Sequence, residues 1–442
     1  MAEESSPTFT NPVIRGFNPD PTICVVPATD STPTTFFLST STFEFFPGCA
    51  IYTSTNLIDW KLIGHALNRR SQIDMRTVEP GAGSWASTLR YRPEEKRWYL
   101  ANGVFHRYRP TIDDQLFWDD DGKVYLSTTM RFAWRDPNSK QKDFGIHISE
   151  IDISTGKTLT APKVIRKSPH GIAEGSHIFK RGDWYYLLTA EGGTEAGHQE
   201  WVFRSRDGPL GPWESQGKPL WYNGPDEEVQ RTGHVDVFED GNGDWWSVLL
   251  GVRPVQHQGT FLEPQLDTPI KRSYTITEKP GVLRLYGNCY DLTSPEAPAM
   301  LLRKQTSYNQ VFKVKMNFSP TVRGYEAGVV IWWSQHSYAS LGVVASENEG
   351  EKVENRTSET DLGGSLENVE LSVRAYPTKY ELSLKAGGME SDVYTIDASA
   401  LTVVPPHGGC FAGTMFGIYS HGKNQPVLDP ADFSDISIEE LE

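Results

Sequence analysis

Five times in the first two-thirds of the chain the same kind of run returns: an aromatic-led strand, seen as FFLST around Phe37, RWYLANG around Tyr99, KVYLSTT around Tyr125, DWYYLLTA around Tyr185 and DWWSVLLG around Trp246. Three copies follow hairpin signals, Asp121-Gly122, Arg181-Gly182-Asp183 and Gly241-Asn242-Gly243-Asp244, whose residues supply the positive φ that tight hairpin loops need. Helical periodicity is nearly absent. Short alternating or wholly apolar runs rich in Val, Tyr, Phe and Trp lie between Gly, Pro and Asp-Gly turns, which is the all-β pattern. A small sheet cannot bury both of its faces alone, so five copies predict five blades stacked around an axis, a five-bladed β-propeller.

The markers are spaced by about 62, 26, 60 and 61 residues, so the second copy falls short by roughly 35 in an array whose period should stay nearly constant. The expectation is a shortened second blade with an exposed sheet edge. From about Pro280 the character changes to shorter amphipathic strands, such as Val311–Met316, Ala327–Trp332, Tyr380–Leu384 and Gly413–Tyr419, with turns every 8–12 residues or so, the pattern of a β-sandwich. The polar stretch from Glu347 to Glu367 reads as a loop within it. At 442 residues two full cores are expected, and the boundary is set at residues 1–265 for the propeller and 266–442 for the sandwich.

The balance of 57 acidic against 42 basic residues, a formal charge of −15, contains no basic block able to neutralise a phosphate backbone, which argues against nucleic acid as a partner. No stretch approaches the ~20 apolar residues of a membrane span. Cys24, Cys49, Cys289 and Cys410 are too scattered for a disulfide framework or a close-spaced metal cluster and are read as buried or unreactive thiols. The N-terminal MAEESSPTFTNP has neither the basic nor the apolar region of a secretory signal. The expected location is cytoplasmic, or secreted if this N-terminus is a processed one; the sequons at Asn317 and Asn355 argue only weakly for secretion. Oligomeric state is not readable.

If each aromatic strand is the second of its blade, the strand before it lies nearest the axis, where five strand ends converge on one polar pocket. Stepping back 11 to 17 residues from each marker reaches Asp20, Trp85, Asp113, Glu174 and His234. Any one of these acids alone reads as a turn or strand-end residue. Their shared phase is what suggests chemistry. Glycosidic hydrolysis needs one carboxyl to protonate the leaving oxygen and another to activate water or attack carbon. Crowding supplies the required difference, because a neighbouring charge raises the pKa of the group that must stay protonated. The 12% aromatic content, with 13 Trp and 18 Tyr, suits both sugar stacking and β-rich cores. The run Asp119-Asp120-Asp121 beside Gly122 is read as a hairpin turn rather than a metal site, and Arg135-Asp136-Pro137-Asn138 is set aside because it falls off the inner-strand phase.

The ordered set NPDP, I-D-x-x-LF-x-DDG, AEG-x-HI, GH-x-D-x-F and LG-x-RP resembles glycoside hydrolase family 43, in the branch of β-xylosidases and α-L-arabinofuranosidases that carry a C-terminal concanavalin-like sandwich. The resemblance spans nearly the whole chain. It implies Asp20 as general base, Glu174 as general acid, and Asp113 as the residue that orients the acid and tunes its pKa. The reaction implied is single displacement with inversion, with base and acid carboxyls roughly 6.5–9.5 Å apart to admit water. It also implies that His234 lies beneath the active site, helping to hold a calcium ion or water on the axis, the alternative being a hydrogen-bonded core histidine. Arg253 would contact substrate hydroxyls, against the alternative of a surface ion pair. Phe43, Phe46 and Trp85 are candidate walls of the sugar subsite, although such aromatics are more often core. No cofactor is required, and calcium would be structural.

Two departures stand out: the shortened second blade and an abbreviated tract from His257 to Pro269. Both are expected to bear on specificity or activity. The function expected is exo-acting β-xylosidase action on xylo-oligosaccharides, with α-L-arabinofuranosidase action on arabinoxylan side chains as the alternative. A non-catalytic carbohydrate-binding propeller is the rival of another class, and a protein-interaction propeller comes third.

Overall fold

The computed structural model describes residues 9–75, 78–105, 111–131, 144–253, 273–296, 298–345, 367–401, 411 and 413–441. The chain divides into two compact units. One holds Met1–Phe43, Pro47–Ile73 and Ala82–His257; the other holds Glu44–Phe46, Asp74–Gly81 and Gln258–Glu442. Among the described residues the structure is all β apart from a 3-10 turn at Ala398–Leu401, and no helix is long and apolar enough to cross a membrane.

The first unit is built of small antiparallel sheets taken in chain order. The first contains β1 (Thr22–Val26), β2 (Thr35–Thr40), β3 (Gly48–Ser54) and β4 (Lys61–Leu67). The second has β5 (Gly83–Arg92) and β6 (Arg97–Phe105). The third has β7 (Thr111–Trp118), β8 (Val124–Arg131) and β9 (Phe144–Asp152), with β10 (Lys157–Thr158) and β11 (Lys163–Lys167) both pairing with β9. In the fourth lie β12 (Ala173–Arg181), β13 (Trp184–Glu191), β14 (Gln199–Ser205) and β15 (Glu214–Ser215); β16 (Gln230–Glu239) and β17 (Trp245–Val252) form the fifth. Each aromatic-led run is the second strand of its sheet, and the first strands neighbour one another in the closed order β1, β5, β7, β12, β16 and back to β1. That ring is the propeller.

Apolar side chains fill the wedges between sheets. Ile23, Phe36 and Phe238 join the first sheet to the fifth, with the two phenyl rings 5.7 Å apart, and Phe117, Tyr125, Ile148, Ile178, Leu187 and Phe203 join the third to the fourth. Burying each such side chain contributes about 1.5–3 kcal/mol. The second sheet keeps two strands. Only the short connection between Phe105 and Thr111 separates β6 from β7, too little chain for two more strands of even five residues. Trp98 on β6 is accordingly 41% exposed.

One irregularity recurs in all five sheets. Asp20, Ala86, Asp113, Gly175 and His234 have φ of 51°, 35°, 58°, 56° and 54°. The register slips by one residue at the matching places: between Trp85 and Thr88, Ile112 and Gln115, Glu174 and His177, and Gly233 and Asp236. In the first sheet the Ser41 N–H donates to the Pro19 carbonyl while Thr22 pairs with Ser39, the same one-residue excess around Asp20. Each is a β-bulge, which inserts one residue and re-aims the side chains around it. The bulge corrects the sequence phase. Asp20, Asp113 and His234 are true equivalents, but Trp85 and Glu174 each precede theirs, Ala86 and Gly175, by one.

Asp119–Asp121 form the turn joining β7 to β8, where the Asp119 N–H donates to the Lys123 carbonyl and Asp121 pairs with Lys123. Cys24 and Cys49 are buried free thiols, pushed up by burial, Cys24 to about 11, and Cys289 is half-buried. Cys410, Arg135–Asn138, the tract 257–269 and nearly all of the 347–367 loop lie outside the described residues.

The second unit is a two-sheet β-structure. A four-stranded sheet runs in the order Ala299–Lys304, Met415–His421, Glu326–Ser334, Ser337–Val344. The larger sheet centres on Ala431–Glu440, Gln310–Asn317, Val369–Ala375 and Lys379–Ala386. Strict alternation in Val369–Ala375 buries Val369, Leu371, Val373 and Ala375 against Val329, Ile331, Phe416 and Ile418 of the smaller sheet, with the Phe312 and Phe416 rings stacked at 5.8 Å. This period-two burial is what the amphipathic runs of the sequence require.

Candidate active site

The bulges bring the carboxyls together. A narrow cleft on the axis of the first unit, too tight as it stands to admit a water molecule, is lined by Asp20, Ala86, Ser87, Thr88, Asp113, Asp114, Gly175, Ser176, His177 and His234, all from first strands or the residues entering them. Glu174, adjacent to Gly175, is 8% exposed, and Asp20 and Asp113 are 9% and 4% exposed. Asp20 is gripped from two sides: Ser41 Oγ donates to its Oδ2 at 2.6 Å, and His234 Nδ1 stands 3.2 Å from its Oδ1. Ser41 Oγ in turn accepts the Ala86 N–H at 2.6 Å, so one hydroxyl ties Asp20 to the bulge of the next sheet. Asp113 Oδ2 accepts the N–H of Gly175 at 2.9 Å. That bond fixes the backbone immediately after Glu174.

Electrostatics separates the acids. Burial, then the nearby charge of Asp20, pushes Glu174 up to about 8. Burial likewise raises Asp113 well above the usual carboxylate range, reinforced by Glu174 and Asp20 and partly offset by the Gly175 N–H. A carboxyl held protonated at neutral pH beside a second carboxyl that accepts hydrogen bonds is the pairing that acid/base hydrolysis requires.

Gly175 is required here. Its φ of 56° suits glycine, and a Cβ would lie 2.9 Å from His234 Nε2. Gly233 is similarly closed in, since a Cβ there would meet the His198 ring at 2.7 Å. His234 therefore serves as a packed partner of Asp20. Calcium takes six to eight oxygen ligands, and no group of three or more His, Cys, Asp or Glu side chains among the described residues converges to hold a metal ion.

The remaining sequence candidates are placed differently. Phe43 is 2% exposed and meets Trp85 edge-on, centroids 5.6 Å apart at 86°, so its ring supports Trp85 and offers no open face. Trp85 is half-buried beside Ala86, and neither aromatic lines the cleft. Phe46 is half-buried in the short segment Glu44–Phe46 that groups with the second unit. Arg253 donates to the Asn11 carbonyl at 3.1 Å and lies 3.6 Å from Glu228, the surface ion pair named as its alternative.

Residues 9–109 and 104–272 match glycosyl hydrolases family 43, and residues 264–439 match the "Beta xylosidase C-terminal Concanavalin A-like domain". The chain belongs to glycosyl hydrolases family 43. Among its family relatives, the non-reducing end alpha-L-arabinofuranosidase BoGH43B of Bacteroides ovatus is 31% identical, covering 96% of this chain and 94% of its own length. Two solved family structures superpose with TM-scores of 0.82 over 98% of this chain and 100% of theirs. They are the Bacteroides ovatus xyloglucan PUL GH43B, 26% identical, and a xylan beta-1,4-xylosidase from Bacillus halodurans, 25% identical. The family match breaks into two segments that meet at 104–109, the seam after β6. The alignment to the Bacteroides enzyme spans 514 positions against 442 residues here, so that family member carries segments this chain lacks.

Sequence reasoning missed a polar layer two residues beyond the bulges. Asp236, 2% exposed, accepts Thr22 Oγ1 at 2.8 Å, the Ile23 N–H at 3.0 Å and Arg90 at 3.1 Å, and lies 3.4 Å from His177 Nδ1. Burial would raise its pKa, but Arg90, His177 and these donors outweigh that and lower it. It ties four of the five first strands of this family 43 propeller together. Asp236 and His177 stand inside the motifs GH-x-D and AEG-x-HI and were legible there; Arg90 carries no sequence signal.

Proposed function

We propose that the chain is an exo-acting glycosidase that removes terminal xylose from xylo-oligosaccharides with inversion, Glu174 as general acid and Asp20 as general base. The observation that carries this reading is the coupled cluster on the axis, in which Glu174 is held up to about 8 while Asp20 accepts hydrogen bonds. Glu174 gives its proton to the glycosidic oxygen as the bond to the anomeric carbon breaks. Asp20 takes a proton from the water that attacks the opposite face of that carbon. Asp113 fixes the acid through the Gly175 N–H, while the charge of Asp20 adds to burial in holding the proton on Glu174. Every acid/base group comes from the chain itself, so the reading needs no cofactor, and turnover should be unchanged by EDTA.

α-L-Arabinofuranosidase action is the second reading, favoured by the name of the Bacteroides relative aligned over 96% of this chain. Release of p-nitrophenol from the β-D-xyloside and the α-L-arabinofuranoside decides between them. One is expected to be cleaved, with Glu174→Gln inactive yet folded. Sugar binding without turnover in the unmodified chain would instead establish a binding module.

A further inference from the structure

A bulge turns backbone N–H groups off their own ladder, and buried N–H groups need another acceptor. Ser41 Oγ, at the end of β2, supplies one for Ala86, and Asp113 Oδ2 supplies one for Gly175. In the fifth sheet the acceptor is Glu200. There His234 and Val235 together oppose the single residue Leu249. The Glu200 carboxyl, reaching across from β14, accepts the N–H groups of both, that of Val235 on Oε2 at 3.2 Å. Glu200 is 0% exposed, and its backbone is pinned as well: its N–H donates to the Trp221 carbonyl at 2.9 Å and its carbonyl accepts the Leu220 N–H at 2.7 Å. His198 closes the other side of the same bend, with Nδ1 2.8 Å from the Arg231 carbonyl and its ring against Gly233. His234 needs such a hold. Its φ of 54° is one that a histidine keeps only where the surroundings enforce it, and its ring stands 3.2 Å from Oδ1 of Asp20.

We propose that Glu200 is a positioning residue for the base: by accepting the two bulge N–H groups it holds the His234 backbone in the kink that keeps the imidazole on Asp20. The inference rests on Asp20 acting as base, as in the proposed function. An apolar side chain at this place would fill the same space but leave two buried N–H groups without an acceptor. Burial holds Glu200 well above the usual carboxylate range, and its Oε1 meets no partner among the described residues. A carboxyl that keeps its proton accepts through its carbonyl oxygen, which an amide supplies equally.

The test compares Glu200→Ala, Glu200→Asp and Glu200→Gln in the full chain, with Phe203→Leu as a core control on the same strand. kcat/KM is followed against pH on the nitrophenyl glycoside that is cleaved, and the His234 ring signals are followed by nitrogen-15 NMR, assigned with His234→Gln. Glu200→Ala should lower kcat by about tenfold, the cost of leaving a buried donor unpaired, with KM within about threefold. The acid limb of kcat/KM, which reports the base, should move up by about one unit as Asp20 loses its imidazole partner, and the His234 signals should shift. Glu200→Asp, whose carboxyl is drawn back by one methylene, should do the same to a lesser degree, and it decides the matter if the alanine variant does not fold. Glu200→Gln should recover most of the loss. Phe203→Leu should lower Tm and leave the acid limb in place. The titratable groups that face Asp20, namely His234, Glu174, Asp113 and His198, are kept in all four variants. An unmoved acid limb with unmoved His234 signals in folded Glu200→Ala or Glu200→Asp overturns the proposal, as does an equal shift of the limb in Phe203→Leu. If the unmodified chain cleaves neither glycoside while the His234 signals still move in the Glu200 variants, the catalytic reading alone is defeated and the hold of Glu200 on His234 stands.

Discussion

At the scale of single residues, the acid role of Glu174 makes a pH prediction with a definite sign. Its pKa is raised to about 8, so the protonated, proton-donating form persists through neutrality and is lost as pH rises past about 8. The alkaline limb of kcat/KM should fall there, and a limb near the ordinary Glu value of 4.5 would contradict the assignment. Gly175→Ala tests the packing beneath it. The new Cβ lands 2.9 Å from His234 Nε2 at a φ of 56°, which should cost about 1–3 kcal/mol in urea unfolding and at least tenfold in kcat/KM as His234 is displaced from Asp20. Asp20, Asp113 and Glu174 were legible because the repeat gave isolated acids a common address. Phe43 and Arg253 were not, since a buried aromatic and a surface arginine look the same in sequence as a sugar platform and a substrate clamp.

At the scale of strands, the period of two identified the all-β class and ranked every aromatic run as a second strand. It placed Trp85 and Glu174 one residue off because a bulge adds a residue without changing the alternation around it. The polar layer centred on Asp236 is the element-level counterpart of the carboxyl layer. Asp236→Ala leaves Arg90 without its carboxylate and should destabilise by about 3–5 kcal/mol, whereas Asp236→Asn, keeping shape and some hydrogen bonds, should lose less; equal losses in chemical denaturation would show the charge to be irrelevant. The two-stranded second sheet carries a further expectation. Amides of β6 should exchange with solvent faster than those of β13, which is paired on both sides.

For the whole molecule, the buried acids set how stability responds to pH. Glu174, Asp113 and Glu200 are all raised, each chiefly by burial, so the folded state holds protons that the unfolded chain releases. Their contribution is full at low pH and is lost as pH rises toward the folded values. His177 and His198, lowered to about 4 by burial, act oppositely, but only below about 6.5, where the unfolded imidazoles charge. Above about 7 Lys304, lowered to about 7 by burial, opposes them, since the unfolded lysine keeps a proton that the folded one has released. Between about pH 6.5 and 7 the carboxyls act alone. Stability should therefore drop across that window by roughly 1 kcal/mol per pH unit for each extra proton held, and a flat or rising Tm in calorimetry would refute it. The shortened sheet was legible at this scale as a break in the period; the closure of the ring around it was not, because sequence spacing does not report which first strands touch.

The repeated left-handed kink gives the axis a modular character. The backbone device is the same in every sheet, while its occupants are Asp, Ala, Asp, Gly and His. Chemistry here is written in interchangeable letters on a fixed frame, so selection or engineering can respell a position without rebuilding the scaffold. Ala86, whose φ of 35° is one that asparagine and glycine adopt more easily, is the blank letter. A small library at that one codon would vary the polar lining of the axis while leaving Asp20, Asp113 and Glu174 in place.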